Sequence, residues 1–343
     1  MVYYEYRTKL ICALKNLTEE TVTSRKQILD RTLLLACYNN FCDIVIGTVD
    51  LGADVNATFC FDFWLGKLCD DSITRSDVES YLPMSVPIGV PCVYYRDSYK
   101  LESIEGGVSP LMHACTNENY EMVKYLLDKG ADVNAYSTFG HSPLMIACNF
   151  NNPDLIKFLI DKGANVNIAN HLLRDTPLHP VCEDFNTEIL NLLLDKGADV
   201  NATNNDYETP LMMACKAIND EFVQILLEKG AYINAKRYNG DTPLMIACLA
   251  NNLNCIQLLL NNGANVNALR YDGSTPRVIA CYSGTSDIVN CLLESGADVN
   301  AVSYDGITPL KAACLGKRRE NVQLLIEKSD GVKIIYKLRT DDE

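Results

Sequence analysis

Ser/Thr-Pro pairs close at Pro110, Pro143, Pro177, Pro210, Pro243, Pro276 and Pro309, and every spacing between them is 33 residues except one of 34. This period restricts the fold more than any other feature of the chain. A unit of that length can bury its apolar face only against a neighbouring copy of itself. The sequence therefore predicts a stack of repeats rather than one globular core.

The stretch 241–268 serves as the specimen. Thr242 can accept from the free N–H groups of a first helical turn, and Pro243 at the first helical position loses no bond there. Leu244, Ile246 and Ala247 follow at helical spacing before Asn251 and Asn252 interrupt the run. A second helix is predicted from about Leu253, with Ile256, Leu259 and Leu260 on one face, ending at Gly263. Beyond it, "GANVNALRYDGSTP" alternates around Val266 and reaches Asp272-Gly273, a tight-turn signal, so it reads as a projecting, hairpin-like finger.

Finger, "TPL", helix, turn, helix and "GADVNA" together resemble ankyrin repeats. The likeness covers seven consecutive units from about Gly106 to Ile326, plus a degenerate first unit holding Ala36, Cys37 and the "GADVNA" of 52–57. It implies an all-α ankyrin-repeat solenoid of about eight repeats, each a helix pair with a β-hairpin finger. The expected divisions are a capping segment and degenerate repeat at 1–57, an irregular insertion at 58–105, seven repeats at 106–328 and a C-terminal cap or tail at 329–343. Where the family's "TPLH" carries His, only His179 keeps it; Met112, Met145, Met212, Met245, Arg277 and Lys311 stand elsewhere. In the family that His bridges backbone segments, so the substitutions imply a less rigid repeat.

A cysteine recurs in the first helix of each unit, at Cys37, Cys115, Cys148, Cys182, Cys215, Cys248, Cys281 and Cys314. Free Cys behaves as a small buried hydrophobe, and this place suits a small residue where helices meet. One thiol per repeat does not converge on a metal, and column neighbours ~10 Å apart are too distant for disulfides. Cys255 and Cys291, on second helices, read as core. All eight column thiols are expected to be reduced and shielded, which points to a reducing compartment.

The formal net charge of −14 opposes phosphate backbones, and the one dense basic run is Lys317-Arg318-Arg319, which reads as a solvated turn. No span suits a membrane, and the start "MVYYEYRTKLICALKNLTEE" lacks the layout of a secretory signal. The expectation is a cytosolic monomer that binds another protein, with no nucleic acid, no membrane, no cofactor, no metal and no catalytic residues. There are four His, no Gly-x-Ser-x-Gly, no phosphate-binding Gly-rich loop and no His-Glu-x-x-His. An enzyme would have to be built on the insertion, where Cys60, Cys69 and Cys92 could take His113 as a fourth zinc ligand, at spacings that match no common pattern.

Fingers and first helices vary freely once the stacking residues are set, so irregularities mark candidate contacts. The insertion holds Trp64 and the proline-rich "LPMSVPIGVPC", which suits either a covering loop or a binding loop. The 34-residue spacing falls in the finger "IANHLLRDTPLHP", where Arg174 replaces the Gly of other tips; Tyr207 replaces it in the next finger. Both tips are expected to turn differently, because neither residue tolerates positive φ as Gly does. Pro180, inside the short helix, removes a backbone donor. His171, Leu172, Leu173, Arg174 and Tyr207 form one candidate contact patch, though the two Leu could instead fold inward. Tyr238, Tyr271 and Tyr304, with Arg237 and Arg270 before two of them, form the other, read either as a hot spot or as spacers in extended chain. The Asn of "GADVNA" (Asn56, Asn134, Asn167, Asn201, Asn234, Asn267 and Asn300) is expected to tie finger backbone through its amide. The function that emerges is a protein-interaction scaffold without chemistry of its own; the alternative is an adaptor delivering a target to machinery such as a ubiquitin ligase.

Overall fold

The structure, a computed structural model, describes residues 7–8, 11, 14, 22–58, 107–182 and 185–328. The chain divides into two compact units, Met1–Asp199 and Val200–Glu343. The first holds α1 (Val22–Tyr38), α2 (Cys42–Asp50), α3 (Pro110–Thr116), α4 (Tyr120–Asp128), α5 (Pro143–Asn149), α6 (Pro153–Asp161), α7 (Leu178–Val181) and α8 (Thr187–Asp195). The second holds α9 (Pro210–Lys216), α10 (Asp220–Glu228), α11 (Pro243–Leu249), α12 (Leu253–Asn261), α13 (Pro276–Ser283), α14 (Ser286–Glu294), α15 (Pro309–Leu315) and α16 (Arg319–Lys328). Within each unit the first helix of a repeat packs on its own second helix and on the first helix of the next repeat. This is the expected all-α stack of ankyrin-like pairs. The insertion and the C-terminal tail lie outside the described residues.

The short first helices start where the Ser/Thr-Pro pairs put them. Ser109, Ser142, Thr209, Thr242, Thr275 and Thr308 each accept a hydrogen bond from the third helical N–H, with Pro at the first helical position. Five of the second helices have a cap that the sequence reading took only for a break. Asn119, Asn152, Asn186, Asn219 and Asn252 accept from the first turn of α4, α6, α8, α10 and α12. Three apolar residues at i, i+1 and i+4 of each helix are buried, as at Leu155, Ile156 and Leu159 in α6. Full burial of each such side chain is worth about 1.5–3 kcal/mol.

Successive repeats are tied by the recurring Asn of "GADVNA". In the first unit the Asn167 amide donates to Gly197 O (2.9 Å) and its oxygen accepts from Asp199 N (2.7 Å). Asn56 does the same to Gly130 and Asp132, and Asn134 to Gly163 and Asn165. In the second unit Asn201 reaches Gly230 and Tyr232, and Asn267 reaches Gly296 and Asp298. The tie therefore runs from one repeat to the next rather than within a finger.

The column cysteines fill the contact between first helices. Cys37, Cys115, Cys148, Cys182, Cys215, Cys248 and Cys281 are buried and free, whereas Cys314 is exposed, because no described repeat covers α15. Burial pushes the thiols of Cys37, Cys115, Cys182 and Cys248 far up, and that of Cys281 up to about 12. One thiol pair departs from the expectation of isolated sulfurs. Cys255 occupies the place that Phe222 holds in α10, and its Sγ lies 3.4 Å from Cys215 Sγ of the preceding repeat.

Pro180 leaves α7 only four residues long, against seven in α5, with no side-chain cap bond. His179, fully buried, partly compensates: its Nδ1 lies 3.0 Å from the Thr176 N–H and 2.9 Å from the Thr176 hydroxyl. This is the bridge implied for the family's His. At Met112 a thioether stands in, with Sδ accepting from the Ser109 N–H at 3.5 Å. Arg277 is buried, donating through Nη1 to Asp298 O (2.9 Å) while its Nε finds no partner among the described residues.

Two measurements check this account. Backbone amides of α7 should exchange hydrogen at least tenfold faster than those of α11, since a short helix with a missing donor opens more easily; equal protection would show that Pro180 is harmless. A bulky maleimide applied to the folded protein should label Cys42 and Cys314, the exposed thiols among the described residues, and leave the seven buried column thiols unmodified until denaturant is added. Rapid labelling of the column would contradict its place in the core.

Candidate protein-binding surface

The fingers are closed turns rather than strand pairs; among the described residues they form no strand. Each is closed by a bond from the residue that starts the turn to one four places on: Ser137 N–H to His141 O, Asn204 to Glu208, Arg237 to Asp241, Arg270 to Ser274 and Ser303 to Ile307. The 34-residue unit closes from Asn170 to Asp175 instead, so the extra residue is taken up inside the turn. The tip residue also donates back to the residue that starts the turn, as Gly140 does to Ser137 O (2.8 Å), so the bonds close a tight turn rather than a ladder.

The tips correct one expectation. Gly140, Gly240, Gly273 and Gly306 have φ between 70° and 88°, and Arg174 and Tyr207 adopt the same left-handed region at 59° and 58°. Tyr207 also donates its N–H to Asn204 O (3.0 Å), as Gly240 does to Arg237 O (2.8 Å). The Tyr207 finger thus turns like its neighbours, at a cost of about 1–2 kcal/mol for a side chain in that region. Turn closure and the stacking of neighbouring fingers override the preference of a single residue.

His171, Leu172, Leu173 and Arg174 lie on one tip in the first unit, all exposed. The two Leu side chains, 40% and 39% exposed, do not fold inward. The His171 ring meets Tyr136 edge-on at 5.3 Å, and the main-chain N–H of His171 donates to Phe139 O (2.7 Å). Tyr207 belongs to the second unit, with Arg237, Tyr238, Arg270, Tyr271 and Tyr304. The tyrosine rings stand out, with exposures of 59% for Tyr207, 60% for Tyr238, 65% for Tyr271 and 75% for Tyr304.

Both arginines form ion pairs within the finger stack. Arg237 Nη1 is 2.9 Å from Glu208 and its Nε is 3.2 Å from Asp241, while Arg270 Nε is 3.2 Å from the other oxygen of Asp241. The Asp241 side chain is fully buried between them and also accepts from Asn239 Nδ2 (2.8 Å). Their charges therefore serve the finger stack, at low dielectric where one carboxylate can hold two guanidinium groups. A sequence signal for this existed: Glu208 and Arg237, like Asp241 and Arg270, are opposite charges 29 residues apart, a repeat less one finger turn.

The proposed zinc ligands Cys60, Cys69 and Cys92 lie outside the described residues. His113, their suggested fourth partner, packs edge-on against Tyr38, with ring centroids 5.6 Å apart, and burial lowers its pKa to about 4. Among the described residues no group of three or more His, Cys, Asp or Glu is placed to hold a metal ion, and no helix is long and apolar enough to cross a membrane.

The family model described as ankyrin repeats (3 copies) matches residues 95–170, 144–237, 178–270 and 268–337, well over half of the chain. The chain belongs to the ankyrin-repeat family. Among solved structures it is similar to the ankyrin repeat domain of Bcl-3, a protein described as a unique member of the IkappaB family. Identity is 32%, the TM-score is 0.57, and the likeness spans 64% of this chain and 99% of that one. No curated protein matches the sequence. Membership makes the ankyrin-repeat protein a protein-interaction scaffold in broad class; its partner is a separate matter.

His113 gives a pH test. Its folded pKa lies below the ordinary 6.5, so the unfolded chain binds the proton first and the folded state loses stability as pH falls from about 6.5 toward 4. The wild-type loss should exceed that of His113→Gln by about 1–2 kcal/mol, allowing for the partial exposure of the side chain. Identical pH profiles from urea unfolding would contradict the assignment.

Proposed function

We propose that the protein recognises another protein through its fingertips and the adjoining ends of its first helices, with the Tyr column of the second unit as the principal contact. One observation carries this reading. Tyr238, Tyr271 and Tyr304 are fixed by backbone bonds to the preceding finger, while their rings remain mostly exposed. Large aromatic rings on a preorganised backbone are what interface hot spots use, because little side-chain entropy is lost on binding. Arg237 and Arg270 then act as the frame that holds the fingers, not as contacts.

The test uses proximity labelling in the native cell to obtain a partner, followed by binding measurements on the purified pair. Tyr271→Ala with Tyr304→Ala should weaken the complex by about 2 kcal/mol or more and leave the circular dichroism unchanged. Leu172→Ala with Arg174→Ala is the comparison. If that pair abolishes binding and the Tyr pair has no effect, the irregular finger is the contact face and the Tyr column is only a spacer.

A further inference from the structure

The first buried position of the second helices carries a large apolar residue in repeat after repeat: Ile44 in α2, Met122 in α4, Leu155 in α6, Ile189 in α8, Phe222 in α10 and Ile288 in α14. In α12 that place holds Cys255. Its Sγ lies 3.4 Å from Sγ of Cys215 in α9, the first helix of the preceding repeat, and both residues are fully buried in the second unit. Burial alone favours the larger side chain, since it removes more apolar area from water. What the thiol adds is contact with a second sulfur.

A disulfide bond is about 2.05 Å long, so these sulfurs need to close by only ~1.4 Å to reach it. The geometry points to Cys215 and Cys255 as a modification site: a dithiol that a hydroperoxide oxidises to a disulfide, locking α9 to α12 across the repeat boundary. The atoms balance. One sulfur, having lost its proton, attacks the peroxide; an S–O bond forms, the O–O bond breaks and the first water leaves. The second sulfur attacks that sulfenic sulfur, so that the S–S bond forms, the S–O bond breaks and the second water leaves. Two thiols are oxidised by two electrons in total and the peroxide is reduced to water. A dithiol reductant reverses the step by exchange: its thiolate takes one sulfur into a mixed disulfide, and its second thiol then releases it.

The surroundings decide when this happens. Burial, and after it the bond from Cys255, pushes the Cys215 thiol well above its ordinary value, so little thiolate exists while the interface is closed. Oxidation therefore passes through brief opening of the α9–α12 contact. The ring that the bond closes runs from 215 to 255 and contains α10, the Tyr238 finger and α11. Closing it restricts the opened chain. The oxidised segment opens less readily than the reduced one, and the pair converts an oxidant pulse into a stiffer second unit.

The full chain, reduced and then freed of reductant, is exposed to hydrogen peroxide, quenched with catalase, alkylated in denaturant and mapped by mass spectrometry. A peptide pair joined through Cys215 and Cys255 is expected, and dithiothreitol should separate it. Amides of α10 and α11 should exchange hydrogen about tenfold more slowly in the oxidised protein than in the reduced one. Cys255→Ala and Cys215→Ala should each abolish both effects, so that misfolding of one variant leaves the other as the control. Cys42 and Cys314, exposed among the described residues, report that peroxide has acted. Their oxidation without a Cys215–Cys255 link would overturn the assignment, as would a link that forms only when peroxide is added in denaturant, or one that leaves exchange of α10 and α11 unchanged.

Discussion

One carboxamide per repeat ties this structure together. A repeat of 33 residues has no core of its own, and the turn that follows its second helix would leave main-chain groups facing the next repeat without partners. Asn167 answers both needs at once, giving its N–H to Gly197 O and taking the N–H of Asp199. Asn56, Asn134, Asn201 and Asn267 repeat the arrangement in their units. Apolar burial supplies most of the free energy, but it is non-directional. The amide pair fixes the register in which one repeat meets the next.

The rest follows from that register. Once repeats are held at a fixed offset, the fingers come close enough for backbone bonds between them, and the tips must leave room. Gly140 illustrates the constraint, because a Cβ there would stand 2.4 Å from His171 N, while Gly306, with no described finger beyond it, has open space. The same offset aligns Asp241 with arginines from its own finger and the next. What is left to vary is the exposed side of each finger, and there the Tyr rings stand. The surface proposed for recognition therefore lies on the periphery of a frame whose interior serves stacking.

Much of the fold could be read from the residues. The Ser/Thr-Pro pairs located the first helices because a hydroxyl cap and a proline lacking its N–H carry their meaning locally. The buried cysteine column followed from its frame. Features that depend on two repeats at once were harder to read. Asn252 looked like a turn residue and is also a cap. Cys255 looked like filler and meets Cys215 across a repeat boundary. The pairing of Arg237 with Glu208 and of Arg270 with Asp241 went unread, because it shows only when charges are compared 29 residues apart. Tyr207 was expected to force a different turn, yet the finger keeps its geometry, since local preference is weaker than the bonds on either side of the tip. The exposed Tyr column was visible as a pattern, but its backbone anchoring was not.

The central claim is that the Asn amide, and not apolar burial alone, sets how tightly a repeat holds the next. Urea unfolding of Asn267→Ala tests it most directly, because the substitution removes both bonds, to Gly296 and Asp298, without touching a buried side chain. The account predicts a loss of about 1–2 kcal/mol, for two hydrogen bonds that each contribute about 0.5–1.5 kcal/mol net. It also predicts faster hydrogen exchange at the Asp298 amide. Stability within ~0.3 kcal/mol of the parent, with Asp298 still protected, would contradict it and leave burial as the sole determinant of the stack.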